Sequence, residues 1–371
     1  MPTHNLHQSA SRLKHWTIGK ALPIWASRAH LPDGSWVEHL GLDGMADMKA
    51  ERRWRVLARQ VYVYAQATDA GWYNGQETAQ ATHSRMMETG YVHRVGMDAA
   101  INNAMQDLYD HAFYLLSHAS LYKLSGDLQY LEQAEKILNW LDKDMAHPKG
   151  GWIEYLGAPK SDPRRQNPHM HIFEASLYLY QVTQNAAHLS YAHKVFALFK
   201  AHFFNAKTQT IIEFFGPNWK PVPAPKGTTA EPGHAAEWIW LLRQYEKASG
   251  IDTSHYADAL YDGLHRNAPY FLNDEEDENG TIRRKSKRLW VQTELIKAHL
   301  AQAERGVTGS ADMAAAAIDG LFETYLTPEG LWNDQLNACN VNMATTIPVS
   351  TFYHILCMAV EAEWVAEILQ G

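Results

Sequence analysis

Two cysteines in 371 residues, Cys339 and Cys357, cannot build a disulfide framework, and neither belongs to a Cys-x-x-Cys pair. A reducing, cytoplasmic setting is therefore expected. Basic charge is also short: 33 Lys and Arg stand against 41 Asp and Glu, and the formal net charge is −8. With no basic stripe, nucleic acid is not expected as a partner. No run of about 18 uncharged apolar residues occurs, so no membrane span is expected. The opening MPTHNLHQSASRLKHW lacks the apolar core of a signal peptide. Nor does a Pro/Gly/Ser linker divide the chain. Length alone would allow two domains, but one domain over residues 1–371 is the expectation.

Histidine and aromatic residues are abundant: 20 His, 13 Trp, 18 Tyr and 11 Phe. Rings with polar tips suit the apolar faces and hydroxyl rims of sugars, although many serve a core equally well. Helical periodicity dominates, with apolar residues at three- and four-residue steps in ADMKAERRWRVLARQVYVYAQA, HMHIFEASLYLYQVTQ, YADALYDGLHRNAPYFL and similar stretches. About a dozen helices are expected. Between them recur short strand-like pieces, DGSWVEHL, TGYVHRVG, GGWIEYLG, QTIIEFFG, NGTIRRKS and EGLWNDQL. Their spacing of roughly 50 to 70 residues falls in the range of repeat architectures. Helical hairpins joined by such loops close into an all-α (α/α)6 barrel, with the hairpin-like loops gathered over one end. An irregular bundle or an open solenoid is the alternative. The Pro-rich PNWKPVPAPKGTTAEPGH reads as an active-site loop rather than a joint between domains.

Several polar constellations sit on these helices. In EPGHAAEW, Pro232 and Gly233 place His234 near a helix start, with Glu237 one turn on. A carboxylate beside an imidazole orients it and raises its pKa, which suits acid/base work. In NPHMHIFE, Pro168 fits a first turn and Asn167 is the expected N-cap. His169 and His171 are two apart and point to different sides of a helix, so one faces a cavity and no metal site is built on the pair. In TIPVSTFYHILC, Thr351 and His354 share a face away from the core residues. Arg52, Arg55, Arg59 and Tyr62 share the polar side of another helix: either a solvated face or a cavity wall where one arginine grips substrate oxygens. Core packing accounts poorly for Asp110, His111, Gln292 and Glu294 in DLYDHAF and RLWVQTE.

Taken together, ARQVYVYA, DLYDHAF, NPHMHIFEASLYLY, EPGHAAEWIWLL, RLWVQTELIKA and STFYH make the chain resemble the N-acylglucosamine 2-epimerase superfamily, in order and spacing from about residue 10 onward. The resemblance implies the same (α/α)6 barrel and isomerisation or epimerisation of sugars at C2. It implies an acid/base pair, His234 and His354. Arg59, Asn167, His171 and Glu237 fall on substrate contacts, as do Tyr109 and Trp290 on aromatic ones. EPGH with STFYH looks most like the D-mannose isomerase branch. Leu289-Trp290 stands where the cellobiose branch carries a Trp pair, which points away from disaccharides.

The implied chemistry is interconversion of D-mannose, and related aldoses such as D-lyxose, with the ketose D-fructose through a cis-enediol(ate). His234, supported by Glu237, would help open the ring, and His354 would move the C2 proton. No cofactor and no metal are expected, since the redox change is internal to the sugar. A monosaccharide substrate and a monomer or homodimer complete the expectation. The alternatives are a 2-epimerase (mannose/glucose or N-acylglucosamine/N-acylmannosamine), a glycoside hydrolase on the same barrel using two carboxylates among Asp107, Glu174, Glu237 and Glu294, and a non-enzymatic helical scaffold.

Overall fold

The computed structural model describes residues 5–266 and 270–370. Its α-helical segments are α1 Leu6–Trp16, α2 Leu22–Arg28, α3 Arg55–Asp69, α4 Gln76–Thr89, α5 Leu108–Ser125, α6 Leu128–Trp140, α7 Gln166–Thr183, α8 Ala186–Leu198, α9 Pro232–Ser249, α10 Ser254–Leu264, α11 Leu289–Glu304, α12 Ser310–Thr324 and α13 Phe352–Ile368. A π-turn at Thr17–Ala21 joins the first two without a break, so the described residues hold twelve helices.

Burial sorts them into two rings. In α11 every residue from Val291 to Ala303 is buried, whereas α12 buries Ala314, Ala315, Ile318 and Leu321 at helical spacing and turns its other side outward. A helix covered all round belongs inside, and a helix with one apolar stripe belongs outside. Accordingly α3, α5, α7, α9, α11 and α13 pack side to side, the last against the first, in a closed inner ring. Outside them lie α4, α6, α8, α10, α12 and, covering α13, α1. This is the (α/α)6 barrel.

Each inner helix is entered from a short strand: Arg52–Arg53, Ile101–Asn103, Arg164–Arg165, Thr229–Ala230, Lys287–Arg288 and Thr346–Pro348. These pair antiparallel with pieces of other loops, as Arg165 does with Phe214, so all six inner N-termini lie at one end of the barrel. The strand-like pieces expected from sequence supply many of those partners. Two expected helices are shorter than their periodicity suggested. The stretch from Ala46 is helical only from Arg55, because Arg52–Arg53 pairs with Arg94–Val95. The stretch from Tyr256 leaves the helix after Leu264, and its residues 267–269 lie outside the described set.

The two ends of the chain meet in a seam. His39–Gly41 pairs with Thr346–Pro348, and Trp25 stacks on Trp332 at 4.2 Å between centroids. The Trp25 indole N–H donates to the Gly330 carbonyl at 3.1 Å. Gly330 has φ +94, and a Cβ there would lie 2.7 Å from the Lys20 carbonyl carbon, so only glycine suits the contact. Trp25 is fully buried. Trp25→Ala is expected to cost ~3–5 kcal/mol in urea unfolding, the usual loss for a large buried ring. A loss below about 1 kcal/mol would show that the seam does not hold the ring closed.

Candidate active site

At the end where the inner helices begin, a cavity of about 350 Å³ opens onto the barrel axis. Its wall includes Arg59, Tyr109, Asn167, His171, His234, Glu237, Trp290 and His354, so the structure brings together the eight residues that the resemblance implied. The reason is topological: Tyr109, Asn167, His171, His234, Glu237, Trp290 and His354 stand in the first two turns of α5, α7, α9, α11 and α13. Those N-termini also turn the positive ends of their helix dipoles toward the cavity, which favours negative charge there.

The opening of α7 separates the two histidines of NPHMHIFE. The helix starts at Gln166, with Arg165 in the N-cap position, so Asn167 is inside the helix and does not cap it. Strand pairing of Arg165 with Phe214 carries the chain straight into the first turn. The Asn167 Oδ1 is instead a buried acceptor without a partner on the cavity wall. His169 points away: its Nδ1–H donates to the Arg165 carbonyl at 3.0 Å and its Nε2 accepts from the Trp152 backbone N–H at 3.1 Å. Both ring nitrogens are thus used, and burial pushes its pKa down to about 3. His171 turns inward, hydrogen-bonded through Nδ1 to Glu174 at 3.0 Å.

The remaining histidines flank one indole. Trp290 has its centroid 5.4 Å from His234 and 5.6 Å from His354, tilted 39° to each. Gly233 makes room for it, since a Cβ there would come within 2.7 Å of the indole. His354 Nδ1–H donates to Glu294 at 2.8 Å, and the same carboxylate accepts from the fully buried Lys297 at 2.8 Å. His234 Nδ1–H donates to Glu213 at 3.0 Å. Sequence reasoning had paired His234 with Glu237, and that is corrected. One helical turn puts Glu237 on the same wall, but its reach is toward His171 at 3.9 Å, while Glu213 arrives from the preceding loop.

Those partners set different proton affinities. Burial alone lowers both imidazoles. At His234 the carboxylates of Glu213, Glu231 and Glu237 outweigh it and raise the pKa to about 9. At His354 burial prevails over Glu294, with Arg59 and Lys297 adding to the lowering, and the pKa falls to about 4. Burial would raise Glu294, but Lys297 and His354 hold it down to about 2. Glu237, only 1% exposed, has its pKa pushed well up by burial and by Glu294. Arg59 is fixed by the Ser350 carbonyl at 3.2 Å and the Tyr109 hydroxyl at 2.8 Å, with its guanidinium 4.1 Å from the Phe113 ring centroid.

Other sequence candidates fall elsewhere. Arg52 bonds Ser35, Arg55 pairs with Asp110, His111 stacks on Trp140, and Gln292 holds the backbone of Leu272. The long Pro-rich loop brings only its last residues, Glu231 and His234, to the wall. Glu213 carries no local signal, being one acidic residue in a strand-like piece. Lys297 did carry one: a lysine in a helix otherwise built for burial needs a partner, and Glu294 is one turn away. Two triads, His171/Glu174/Glu237 and Glu213/Glu231/His234, have ligand atoms close enough for a metal ion. In each, the imidazole and a carboxylate already satisfy one another.

The family profile described as N-acylglucosamine 2-epimerase (GlcNAc 2-epimerase) matches residues 35–358. The chain belongs to that family. It is 31% identical to a protein of Rhizobium meliloti (strain 1021) named mannose-6-phosphate isomerase, over 97% of this chain and 98% of that one. Among solved structures it shares the fold of cellobiose 2-epimerase from Spirochaeta thermophila DSM 6192 (TM-score 0.86, 19% identity, 99% and 98% of the two chains). It likewise shares that of a D-mannose isomerase (TM-score 0.84, 18% identity, 95% and 97%). No helix among the described residues is long and apolar enough to cross a membrane.

The contrast within α7 is directly testable by thermal unfolding. His169→Ala leaves the buried Trp152 N–H unpartnered and is expected to cost ~1–3 kcal/mol. Asn167→Ala removes an unpaired acceptor and should stay within about 0.5 kcal/mol of the parent. The reverse order would place Asn167 in the scaffold and His169 outside it.

Proposed function

We propose that the protein is an aldose–ketose isomerase acting on unphosphorylated D-mannose, and on related aldoses such as D-lyxose, to give D-fructose. The observation that carries this is a pair of buried histidines on either side of Trp290, one tuned to hold its proton and the other to lack it. With Nδ1 committed to a carboxylate in each, Nε2 is the nitrogen left for substrate.

His234, protonated, donates to the pyranose ring oxygen as the C1–O5 bond breaks and the anomeric hydroxyl gives its proton to water, which makes C1 a carbonyl and the C2 proton removable. His354, neutral, takes that proton. The resulting enediolate lies beside the Arg59 guanidinium, at the positive ends of the inner helices. Returning the proton to C1 from the same imidazole, as the O2 hydroxyl proton passes to O1 and C2 becomes the carbonyl, gives the ketose, so one base serves both carbons. Delivering a proton to C2 from the opposite face would give the epimer, the second reading; the fold shared with a cellobiose 2-epimerase keeps it in view.

Monosaccharide size is supported by the wall, where Trp290 is present while Leu289 is fully buried and absent from it, so a single indole is available to a sugar ring. Charge supports a neutral sugar over a phosphorylated one. Arg53 at the mouth is ion-paired with Glu38, and Arg288 lies 3.3 Å from Asp274 and 3.5 Å from Glu231. With Glu231 and Asp334 also on the wall, a phosphate dianion would meet cations already paired with carboxylates. D-Mannose is therefore expected to be turned over with a kcat/KM at least about tenfold above that for D-mannose 6-phosphate, a difference of ~1.4 kcal/mol. Faster turnover of the phosphate would overturn this choice of substrate.

His234→Ala and His354→Ala should each lower kcat by about 10²–10⁴, the range for a lost general acid or base, with melting temperatures near the parent's. Unfolding in place of inactivation would make them core residues. The pH profile follows from the two proton affinities. His354 must be neutral, so activity falls as the pH drops toward about 4. His234 must be protonated, so activity falls as the pH rises through about 9. A wide plateau between those limbs is expected, and a narrow bell centred near neutrality would contradict the assignment.

A further inference from the structure

The two catalytic histidines present a symmetry that burial cannot break. His234 is 5% exposed and His354 6%, and each gives its Nδ1–H to one buried glutamate, Glu213 at 3.0 Å and Glu294 at 2.8 Å. What differs is the other partner of each carboxylate. Glu294 accepts from the ammonium of Lys297 at 2.8 Å, whereas Glu213 accepts from the neutral amide of Gln166 at 2.9 Å. Both are held in place. Lys297, fully buried, has its Nζ 3.6 Å from the Trp240 ring centroid, and the Gln166 Oε1 accepts from the Trp238 indole N–H at 2.9 Å.

Resting on the isomerase reading above, we propose that Lys297 and Gln166 are the positioning residues that decide which histidine is the base and which the acid. A carboxylate shared with a buried cation orients an imidazole while contributing little net negative charge to it. A carboxylate shared with an amide keeps its full charge for the imidazole. Glu294 thus steers His354 without charging it, and Glu213 both steers His234 and holds its proton. The other charged groups in reach act in the same sense: Arg59 of α3 faces His354, and Glu231 and Glu237 face His234. Lys297 is not on the cavity wall, so it acts through Glu294 and through its own charge, not by touching substrate.

The test is a titration of ¹⁵N-histidine-labelled full-length protein by NMR, with His234→Ala and His354→Ala to assign the signals. Lys297→Gln converts the Glu294 arrangement into the Glu213 one. It should raise the His354 midpoint by about one pH unit or more, a tenfold change in its protonation equilibrium. The acid limb of kcat against pH should move with it, KM should change less than about twofold, and Lys297→Arg should restore the parent midpoint. A His354 midpoint unmoved in Lys297→Gln overturns the proposal. Should that variant fail to fold, Gln166→Lys applies the mirror change and should lower the His234 midpoint by a similar amount; an unmoved midpoint there overturns it equally. The titration needs no turnover. A parent protein that isomerises no sugar would refute the proposed function, and the shift of the midpoints would still decide this one.

Discussion

An imidazole sealed inside a ring of helices loses the water that would otherwise solvate either of its protonation states. Its proton count and its orientation then depend on whatever bonds Nδ1. In this barrel that bond is made by a glutamate at three of the histidines on the cavity wall: Glu174 for His171, Glu213 for His234 and Glu294 for His354. Without those carboxylates, burial would leave each ring neutral and free to turn. With them, Nε2 is directed to one side and the charge on each ring becomes a matter of what else the carboxylate touches.

The fold supplies the condition for such bonds. Six inner helices begin at the same end because each is entered from a strand paired across the rim, and their first turns therefore converge. Side chains from helices far apart in sequence meet on the axis: Glu174 accepts from Tyr353, and Glu294 from His354, 60 residues on. The cost of burying charge in this position is offset by pairing, as Lys297 with Glu294 shows. A ring that failed to close at the seam of Trp25 and Trp332 would admit water to the axis, and the separation of proton affinities would shrink with it.

Much of this was legible from the sequence, and the failures have a common cause. Periodicity gave the helices because an inner helix and an outer one both repeat near 3.6 residues, and the strand-like pieces marked the loops. The wall residues followed from motif and resemblance, since first turns of inner helices keep their position in the chain. What stayed hidden were partners arriving through tertiary contact. Glu213 sits in QTIIEFFG with nothing local to distinguish it, so sequence spacing points to the nearer Glu237 as the support of His234. Pro168 makes Asn167 read as a cap, yet strand pairing of Arg165 puts the N-cap two residues earlier. The edge of the helix at Arg55 was missed for the same reason: pairing of Arg52–Arg53 overrides a favourable helical pattern.

The central claim is that one histidine opens a neutral aldose and the other moves its C2 proton to C1. Proton and carbon NMR of chelator-treated protein with D-mannose in D2O reads that transfer directly. The account predicts D-fructose, with solvent deuterium entering at C1. Glucose labelled at C2 in its place, or no change in mannose at all, would contradict it.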